Sequence, residues 1–216
     1  MLDKYINQII NADCMNILKE LPDKCIDLVL TDPQYGKNAD KGTNGFGIAK
    51  NRKYTSDWDD EPPRKEYFDE ILRVGKKVII FGGNYFTDKL PISNCWFCWD
   101  KIGNYKFQNP FTEIELAWTN LTETSKKYTC VQQGFIAEDK SIRFHPTQKP
   151  LKLFEMILRD YSNENDLVLD CFSGSGTTAI ACHKMKRRFI CIEKDQQFYD
   201  ASVKRLEQEQ SQLDLF

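Results

Sequence analysis

The chain has 216 residues, of which 41% are apolar, 12% aromatic and 29% charged. These proportions are typical of a folded protein and exclude a disordered or fibrous one. The net charge of −2, from 30 basic and 32 acidic residues, argues against a protein that binds nucleic acid by charge alone, but not against an enzyme that acts on it. No apolar run approaches the ~20 residues of a membrane span and the N-terminus lacks a signal-peptide pattern, so we expect a cytoplasmic protein with no membrane partner.

Short β-type runs alternate with helical patterns, which predicts a single α/β domain over residues 1–216. The predicted strands, in chain order, are 7–12, 26–31, 77–81, 95–100, 113–119, 166–170 and 188–193. Apolar residues at helical spacing predict helices that begin at Cys14 and Leu151, and a last helix that contains Tyr199, Val203 and Leu206. Residues 36–63, 101–111 and 120–148 lack periodicity, which is typical of binding loops or lids.

The eight cysteines are scattered, and one CxxC pair lies at Cys95 and Cys98. Two thiols so spaced can form half of a zinc site, but no second ligand pair follows and the chain has only two histidines. The sequence therefore favours buried cysteines on an aromatic strand, and no metal is expected.

A glycine-rich turn with the sequence DCFSGSG follows the apolar strand 166–170 and opens a helix. Such a turn lets a ligand approach the backbone and presents free N–H groups to it. The next strand ends at Glu193, and an acidic residue in that place can hold both hydroxyls of a ribose. The combination predicts a nucleotide-like ligand, with a solvated carboxylate at a strand end as the alternative for Glu193.

A second motif, Asp32-Pro33-Gln34-Tyr35, follows the strand 26–31. Ligands of open α/β sheets bind outside the carboxyl ends of strands, where this carboxylate, carbonyl and aromatic ring would converge. Such a set can accept hydrogen bonds from an amino group and stack on a planar base. An ordinary turn, with Asp and Pro as turn formers, is the alternative.

Together these motifs resemble the S-adenosylmethionine-dependent DNA amino-methyltransferases that modify adenine N6 or cytosine N4, in the permuted β-type order. The family's catalytic Asp-Pro-Pro-Tyr is matched by residues 32–35, with Gln34 in place of the second Pro. Its Asp-x-Phe-x-Gly-x-Gly turn is matched by residues 170–176, its Gly-Asp-Cys turn resembles residues 12–14, and its His-Pro-Thr-Gln-Lys-Pro segment matches residues 145–150. The resemblance covers nearly the whole chain. It implies a doubly wound, mostly parallel, seven-stranded Rossmann-like methyltransferase sheet, circularly permuted, with strand 188–193 beside strand 7–12.

The resemblance also implies roles for the matched residues. Asp32 and the Pro33 carbonyl would accept hydrogen bonds from the target amino group, and Tyr35 would stack on the extruded base. The residues implied to bind S-adenosylmethionine are Asp13, Thr147, Lys149, Asp170, Phe172, Ser173, Gly174, Gly176, Thr177 and Glu193. Simpler alternatives are a helix N-cap for Asp13 and a surface position for Lys149.

Residues 36–56 carry five basic side chains against one acidic side chain, a local charge of +5 − 1 = +4. The basic residues are Lys37, Lys41, Lys50, Arg52 and Lys53. A basic loop after the catalytic motif suits the phosphate backbone of double-stranded DNA around a flipped base, with a plain solvated loop as the alternative. The basic loop 36–63 and the irregular region 120–148 are thus candidate target-recognition elements.

We therefore expect an enzyme that transfers a methyl group to adenine N6 in DNA, as in restriction-modification systems. Asp32 tilts the choice to adenine, since the family uses Asp at this position mostly for that base. Cytosine-N4 methylation, RNA methylation and a catalytically weak module that binds cofactor and nucleic acid remain alternatives. The oligomeric state is left open, a homodimer included.

Overall fold

The structure, a computed structural model, describes residues 2–36, 61–106, 112–133, 136–137 and 148–213. In these ranges the α-helices are α1 (Cys14–Leu18), α2 (Lys65–Val74), α3 (Leu151–Tyr161), α4 (Thr177–Lys184) and α5 (Gln196–Leu213). The strands are β1 (Gln8–Asn11), β2 (Ile26–Thr31), β3 (Gly75–Phe81), β4 (Trp96–Asp100), β5 (Ile114–Thr119), β6 (Lys126–Thr129), β7 (Gln132–Gln133), β8 (Ile136–Ala137), β9 (Leu167–Asp170) and β10 (Arg188–Glu193). None of the helices described is long and apolar enough to cross a membrane.

Eight of these strands form one mostly parallel sheet in the order β1-β10-β9-β2-β3-β5-β4-β6. Only β5 runs antiparallel to its neighbours, β3 and β4, while the other neighbouring strands described pair in parallel. The β1–β10 pair joins residues from opposite ends of the sequence, with Gln8 beside Ile190 and Asn11 beside Glu193. The predicted adjacency of these two strands is confirmed.

Helices cover both faces of the sheet because its central strands are apolar on both sides. On β3, Ile79 and Phe81 point to the core shared with α3, α4 and α5, whereas Val78 and Ile80 point to the core shared with α1 and α2. The doubly wound α/β class is therefore confirmed. The sheet is packed on both faces, and the loops at its edge are therefore attached to well-packed strands.

Two predictions about secondary structure need correction. The sheet has eight strands where seven were expected, because β6 pairs in parallel with β4, and Phe97 lies beside Lys126. This strand lies in the region 120–148, which was interpreted as irregular, and its sequence KKYT has too little apolar alternation to reveal it. Helix α2 was not identified either, although Phe68, Ile71 and Val74 give it a buried face.

The paired cysteines lie on β4 or just before it. Cys95 is fully buried in the core, Cys98 is half-buried, and both are free thiols. Their positions agree with the interpretation of an aromatic strand, since Phe97 between them is also buried.

Candidate active site

The carboxyl ends of β2, β9 and β10 open into one cavity of about 890 Å³. This is the size of a site for a cofactor-sized ligand, at the edge where open α/β sheets bind ligands. Residues of every predicted motif line it: Asp13, Asp32, Pro33, Gln34, Tyr35, Gln148, Lys149, Asp170, Phe172, Ser173, Gly174, Thr177 and Glu193. The fold thus brings together segments more than 100 residues apart in sequence.

At one end of the cavity, Asp32 is held by two donors. The Tyr35 hydroxyl donates to its Oδ1 at 2.6 Å and the Lys149 ammonium donates to its Oδ2 at 2.6 Å. Burial raises the pKa of the Asp32 carboxyl above its ordinary value, although the charge of Lys149 opposes this shift. Lys149 therefore does not lie on the surface: its side chain is 6% exposed and contacts the carboxylate of the Asp-Pro-Gln-Tyr motif.

The ring of Tyr35 is fixed by aromatic neighbours. It stacks on Tyr85 with centroids 4.9 Å apart and meets the edge of Phe86 at 6.1 Å. Gly82 lies beneath it with a left-handed φ of +69°, and a Cβ built there would be 2.1 Å from Tyr35 Cε1. Tyr35 thus orients Asp32 through its hydroxyl while its ring packs on Tyr85, a residue that the sequence did not single out.

Next to Asp32, at the end of the neighbouring strand β9, Asp170 anchors the glycine turn. Its Oδ1 accepts hydrogen bonds from Thr31 Oγ1 at 2.7 Å and the Phe172 N–H at 3.1 Å, and its Oδ2 accepts one from Thr178. Burial raises the pKa of Asp170 to about 6, against these hydrogen bonds. Asp170 thus ties the turn to β2 and to α4, and so fixes the position of the turn.

The rest of the turn offers both backbone and side-chain groups. Gly174 has a left-handed φ of +50°, and Gly176 has one of +74° as the residue before α4. A Cβ on Gly176 would lie 2.9 Å from Ser202 Cβ, so Gly176 packs against α5 and does not line the cavity. The Ser173 hydroxyl is buried and finds no hydrogen-bond partner in the part of the chain that the structure describes. An unpartnered hydroxyl at a cavity wall is a natural contact for a polar ligand.

Glu193 ends β10 on the cavity wall. Its Oε2 accepts a hydrogen bond from the Gly174 N–H at 2.7 Å and its Oε1 accepts one from the Asp195 N–H at 2.8 Å. Burial raises the pKa of Glu193 to about 7, despite these two hydrogen bonds. Glu193 is therefore a half-buried, structured carboxylate and not a solvated strand end.

Asp13 and Tyr67 form the wall beside Glu193. Asp13 caps α1 by accepting a hydrogen bond from the Met15 N–H at 3.0 Å, as the simpler interpretation expected. It also accepts from the Tyr67 hydroxyl at 3.1 Å, and burial, together with Asp13, raises the pKa of Tyr67 to about 12. Tyr67 lies on α2, so sequence reasoning missed it along with that helix; the helical spacing of Phe68 and Ile71 was the available signal.

The cavity walls that the structure describes are predominantly acidic. Six acidic and three basic side chains line them: Asp13, Asp32, Glu61, Asp170, Glu193 and Asp195 against Arg64, Lys149 and Lys194. Such an excess favours a ligand that carries positive charge.

Several predicted residues lie outside the described ranges. These are Thr147 of the cofactor segment and the basic residues Lys37, Lys41, Lys50, Arg52 and Lys53. The assignments of these six residues remain predictions, as does the role of the loop that contains the five basic ones.

Comparisons with known proteins agree with this geometry. The chain is 27% identical over 234 residues to the type II methyltransferase M.HpaI of Haemophilus parainfluenzae, which covers 94% of this chain and 74% of that protein. The crystal structure of the M1.HpyAVI–SAM complex is 23% identical, has a TM-score of 0.57, and covers 92% of this chain and 98% of its own. The PvuII DNA methyltransferase, described as cytosine-N4-specific, is 17% identical with a TM-score of 0.61, covering 94% of this chain and 90% of its own.

A family model for DNA methylases of the N6/N4 type matches residues 83–204, which is more than half of the chain. The match includes the glycine turn and Glu193, while the Asp-Pro-Gln-Tyr motif lies before it. On this match the chain belongs to the N6/N4 family of DNA methylases.

Proposed function

We propose that this protein transfers the methyl group of S-adenosylmethionine to the exocyclic amino group of adenine in DNA, by direct transfer to an extruded base. The observation that carries the proposal is the single cavity with the acceptor Asp32 at one end and Glu193 with the glycine turn at the other. Cofactor and target amino group would thus meet inside one cavity. Direct transfer then needs mainly positioning and electrostatics, which this arrangement supplies.

The residues of the cavity fit S-adenosylmethionine, which would supply an activated methyl group on a positively charged sulfur. The acidic walls suit that charge, and the buried Ser173 hydroxyl lacks a partner among the residues described. Glu193 would hold the ribose hydroxyls, Asp13 with Tyr67 the adenine amino group, and the turn from Phe172 to Gly174 the methionine end.

On the target side, the chain's own groups would make the amino nitrogen a better nucleophile. The lone pair of an exocyclic amino group is delocalised into the ring, and hydrogen bonds to Asp32 and the Pro33 carbonyl favour a tetrahedral nitrogen. The bound cofactor would supply the methyl group while its sulfur keeps the electron pair of the S–C bond, and the methylated nitrogen would release its extra proton to solvent. Asp32 acts as an acceptor and orienter, while Tyr85, 40% exposed against Tyr35, extends the aromatic surface for the extruded base.

Adenine is proposed over cytosine because the motif begins with Asp32. Enzymes of the N6/N4 family use Asp at this position mostly for adenine. Gln34, which lines the cavity in place of the family's second Pro, leaves both acceptors in position. The permuted motif order, action within a restriction-modification system and double-stranded DNA as the substrate are part of the same proposal.

Modification mapping tests the proposal directly. DNA from cells that express the protein should contain N6-methyladenine at one recurring sequence, and purified protein with labelled cofactor should reproduce the mark on unmodified DNA. N4-methylcytosine would establish the cytosine alternative, and label in RNA alone would establish an RNA enzyme. Label in neither, with cofactor binding intact, would favour a binding module.

The cofactor assignment predicts the behaviour of Glu193→Gln. The substitution removes the carboxylate that would bind the ribose, so S-adenosylmethionine binding should weaken by about 1 to 3 kcal/mol, the value of a charge-assisted hydrogen bond. Titration calorimetry at pH 8 measures the difference. Unchanged affinity in a folded variant would remove Glu193 from the cofactor site.

The same substitution should stabilise the protein without its cofactor. Because the pKa of Glu193 is raised to about 7, the folded state binds the proton more tightly than the unfolded state, and stability falls as the pH rises from about 4.5 through 7. Glu193→Gln removes this loss, so its free energy of unfolding should exceed that of the wild type by about 1 to 3 kcal/mol at pH 8 and by little at pH 4.5. Urea denaturation at the two pH values checks the sign.

A further inference from the structure

The ammonium of Lys149 lies between two carboxylates that come from different strands. Its Nζ donates to Asp32 Oδ2 at 2.6 Å and lies 3.2 Å from Glu115 Oε2, on β5. The Tyr35 hydroxyl is 3.3 Å from the same nitrogen. Burial opposes the charge of Lys149, but Asp32 and Glu115 outweigh it and raise the pKa of the ammonium well above its ordinary value. Lys149 is therefore a permanent cation shared by two anions.

The two carboxylates differ in how they bind the Lys149 ammonium. Lys149 Nζ makes a well-formed hydrogen bond to Asp32, whereas Glu115 Oε2 is buried and accepts none from the residues that the structure describes, although Nζ is within reach. The other oxygen of Glu115 is held by an ion pair with Lys101. Glu115 thus presents a fixed acceptor that is ion-paired with Lys149 at 3.2 Å but receives no well-aligned hydrogen bond from the residues described.

The target amino group needs an acceptor oxygen of Asp32, and Lys149 donates to one of the two. Both oxygens of Asp32 already accept a hydrogen bond, one from Tyr35 and one from Lys149. An amino group that binds Asp32 must share an oxygen with one of these donors or displace it. Lys149 has an alternative acceptor within 3.2 Å, and its long, flexible side chain can turn toward it.

We propose that Glu115 is a positioning residue that accepts the Lys149 hydrogen bond when the target amino group binds Asp32. Nothing is ionised or neutralised in this exchange, since Lys149 keeps its proton and changes only its acceptor. Asp32 keeps the nearby positive charge and gains a free lone pair on Oδ2. The inference rests on the proposed methyl transfer and names a residue on β5 that acts through Lys149.

The main test is a double-mutant cycle on the rate of single-turnover methylation at saturating DNA and cofactor. Glu115→Gln removes the negative acceptor with little change in shape, and transfer should slow at least about 10-fold, the loss of one positioned contact. In the Lys149→Met background, assayed at the same pH, Glu115→Gln should have almost no further effect. Glu113→Gln is the matched control, an exposed carboxylate two residues earlier whose loss should leave the rate unchanged.

Two outcomes would overturn the proposal. A Glu115→Gln protein with wild-type rates would show that the second acceptor is not used, and equal losses in both backgrounds would show that Glu115 acts by packing. Cofactor affinity within about twofold of the wild type verifies that the variant is folded. If Glu115→Gln fails this check, Lys101→Met replaces it in the cycle. Lys101→Met removes one ion pair of Glu115 and leaves the one with Lys149. The substitution should change the rate of methyl transfer in the protein that has Lys149 and leave it unchanged in the Lys149→Met background.

A measurement without DNA separates this proposal from the proposed function. Carboxyl-carbon NMR follows the titration of Asp32, whose titratable neighbours among the described residues are Tyr35, Lys149, Glu115 and Asp170. In Glu115→Gln, Asp32 is the one carboxylate left beside the Lys149 ammonium, so the pKa of Asp32 should fall. In the Lys149→Met background the same substitution should lower the pKa of Asp32 by half as much or less. An unchanged pKa would refute the sharing of Lys149 whether or not the protein methylates DNA. A protein that shows the shift but transfers no methyl group would refute only the proposed function.

Discussion

Replacing Asp32 by Ala should lower the rate of methyl transfer by at least about 100-fold, the loss of a positioned electrostatic contact to the transition state. The substitution removes the carboxylate at the target end of the cavity and leaves the glycine turn and Glu193 intact. The binding free energy of S-adenosylmethionine should therefore change by less than about 1 kcal/mol, as for a substitution that does not contact the cofactor. Single-turnover methylation and calorimetry give the two numbers.

Asp32→Asn is the matched control for shape. It keeps one acceptor oxygen but loses the charge that pairs with Lys149, so its rate should lie between those of the wild type and Asp32→Ala. Near-wild-type transfer by Asp32→Ala would mean that the catalytic centre lies elsewhere in the cavity.

Gly82→Ala should also slow methyl transfer strongly, because the new methyl group collides with the ring that orients Asp32. The added Cβ would lie 2.1 Å from Tyr35 Cε1, and the left-handed φ of +69° adds backbone strain. Tyr35 must move, its hydroxyl leaves Asp32, and transfer should fall at least about 10-fold. Single-turnover methylation measures the fall.

Gly103→Ala provides the control for strain without the collision. Gly103 also has a left-handed φ, of +56°, but among the described residues its Cβ would meet only the methyl groups of Thr129 and Val131, at 3.3 Å. Both variants should lose stability in urea denaturation, Gly82→Ala more because of the collision, while only Gly82→Ala should lose activity. Equal activities in the two would show that the position of Tyr35 does not matter.

The strands that carry the site were predictable because they are apolar on both faces and end in distinctive residues. β2 and β10 have the predicted bounds, and β9 differs by one residue. Because these residues follow or end predicted parallel strands, Asp32, the glycine turn and Glu193 could be placed at one edge of the sheet. Strand β6 was missed because it has four residues with a single apolar side chain, that of Tyr128, and depends on β4 for its pairing. Its stability is tertiary, which no local pattern records.

The buried charges of the site could not be predicted in the same way. Lys149 and Asp32 are 117 residues apart, and the sequence shows only that one follows a loop and the other a strand. Glu115 lies in a strand where a charged residue suggests a solvent-facing position, yet its Oε2 is buried. Tyr67 and Tyr85 were missed for a related reason. Each acquires its role from a partner on another element, Asp13 and Tyr35 respectively.

The pairing of β1 with β10 constrains when the protein can fold during its synthesis. Strands β2 to β6 lie within the first 129 residues and can associate as they leave the ribosome, whereas β1 must wait until residues 188–193 have been made. Until then the growing chain has an unpaired early strand, an edge that invites association with other chains. Glu193 is the last residue of the awaited strand. The cofactor site is therefore completed by the same event that gives β1 its partner strand, although β1 remains the edge strand of the finished sheet.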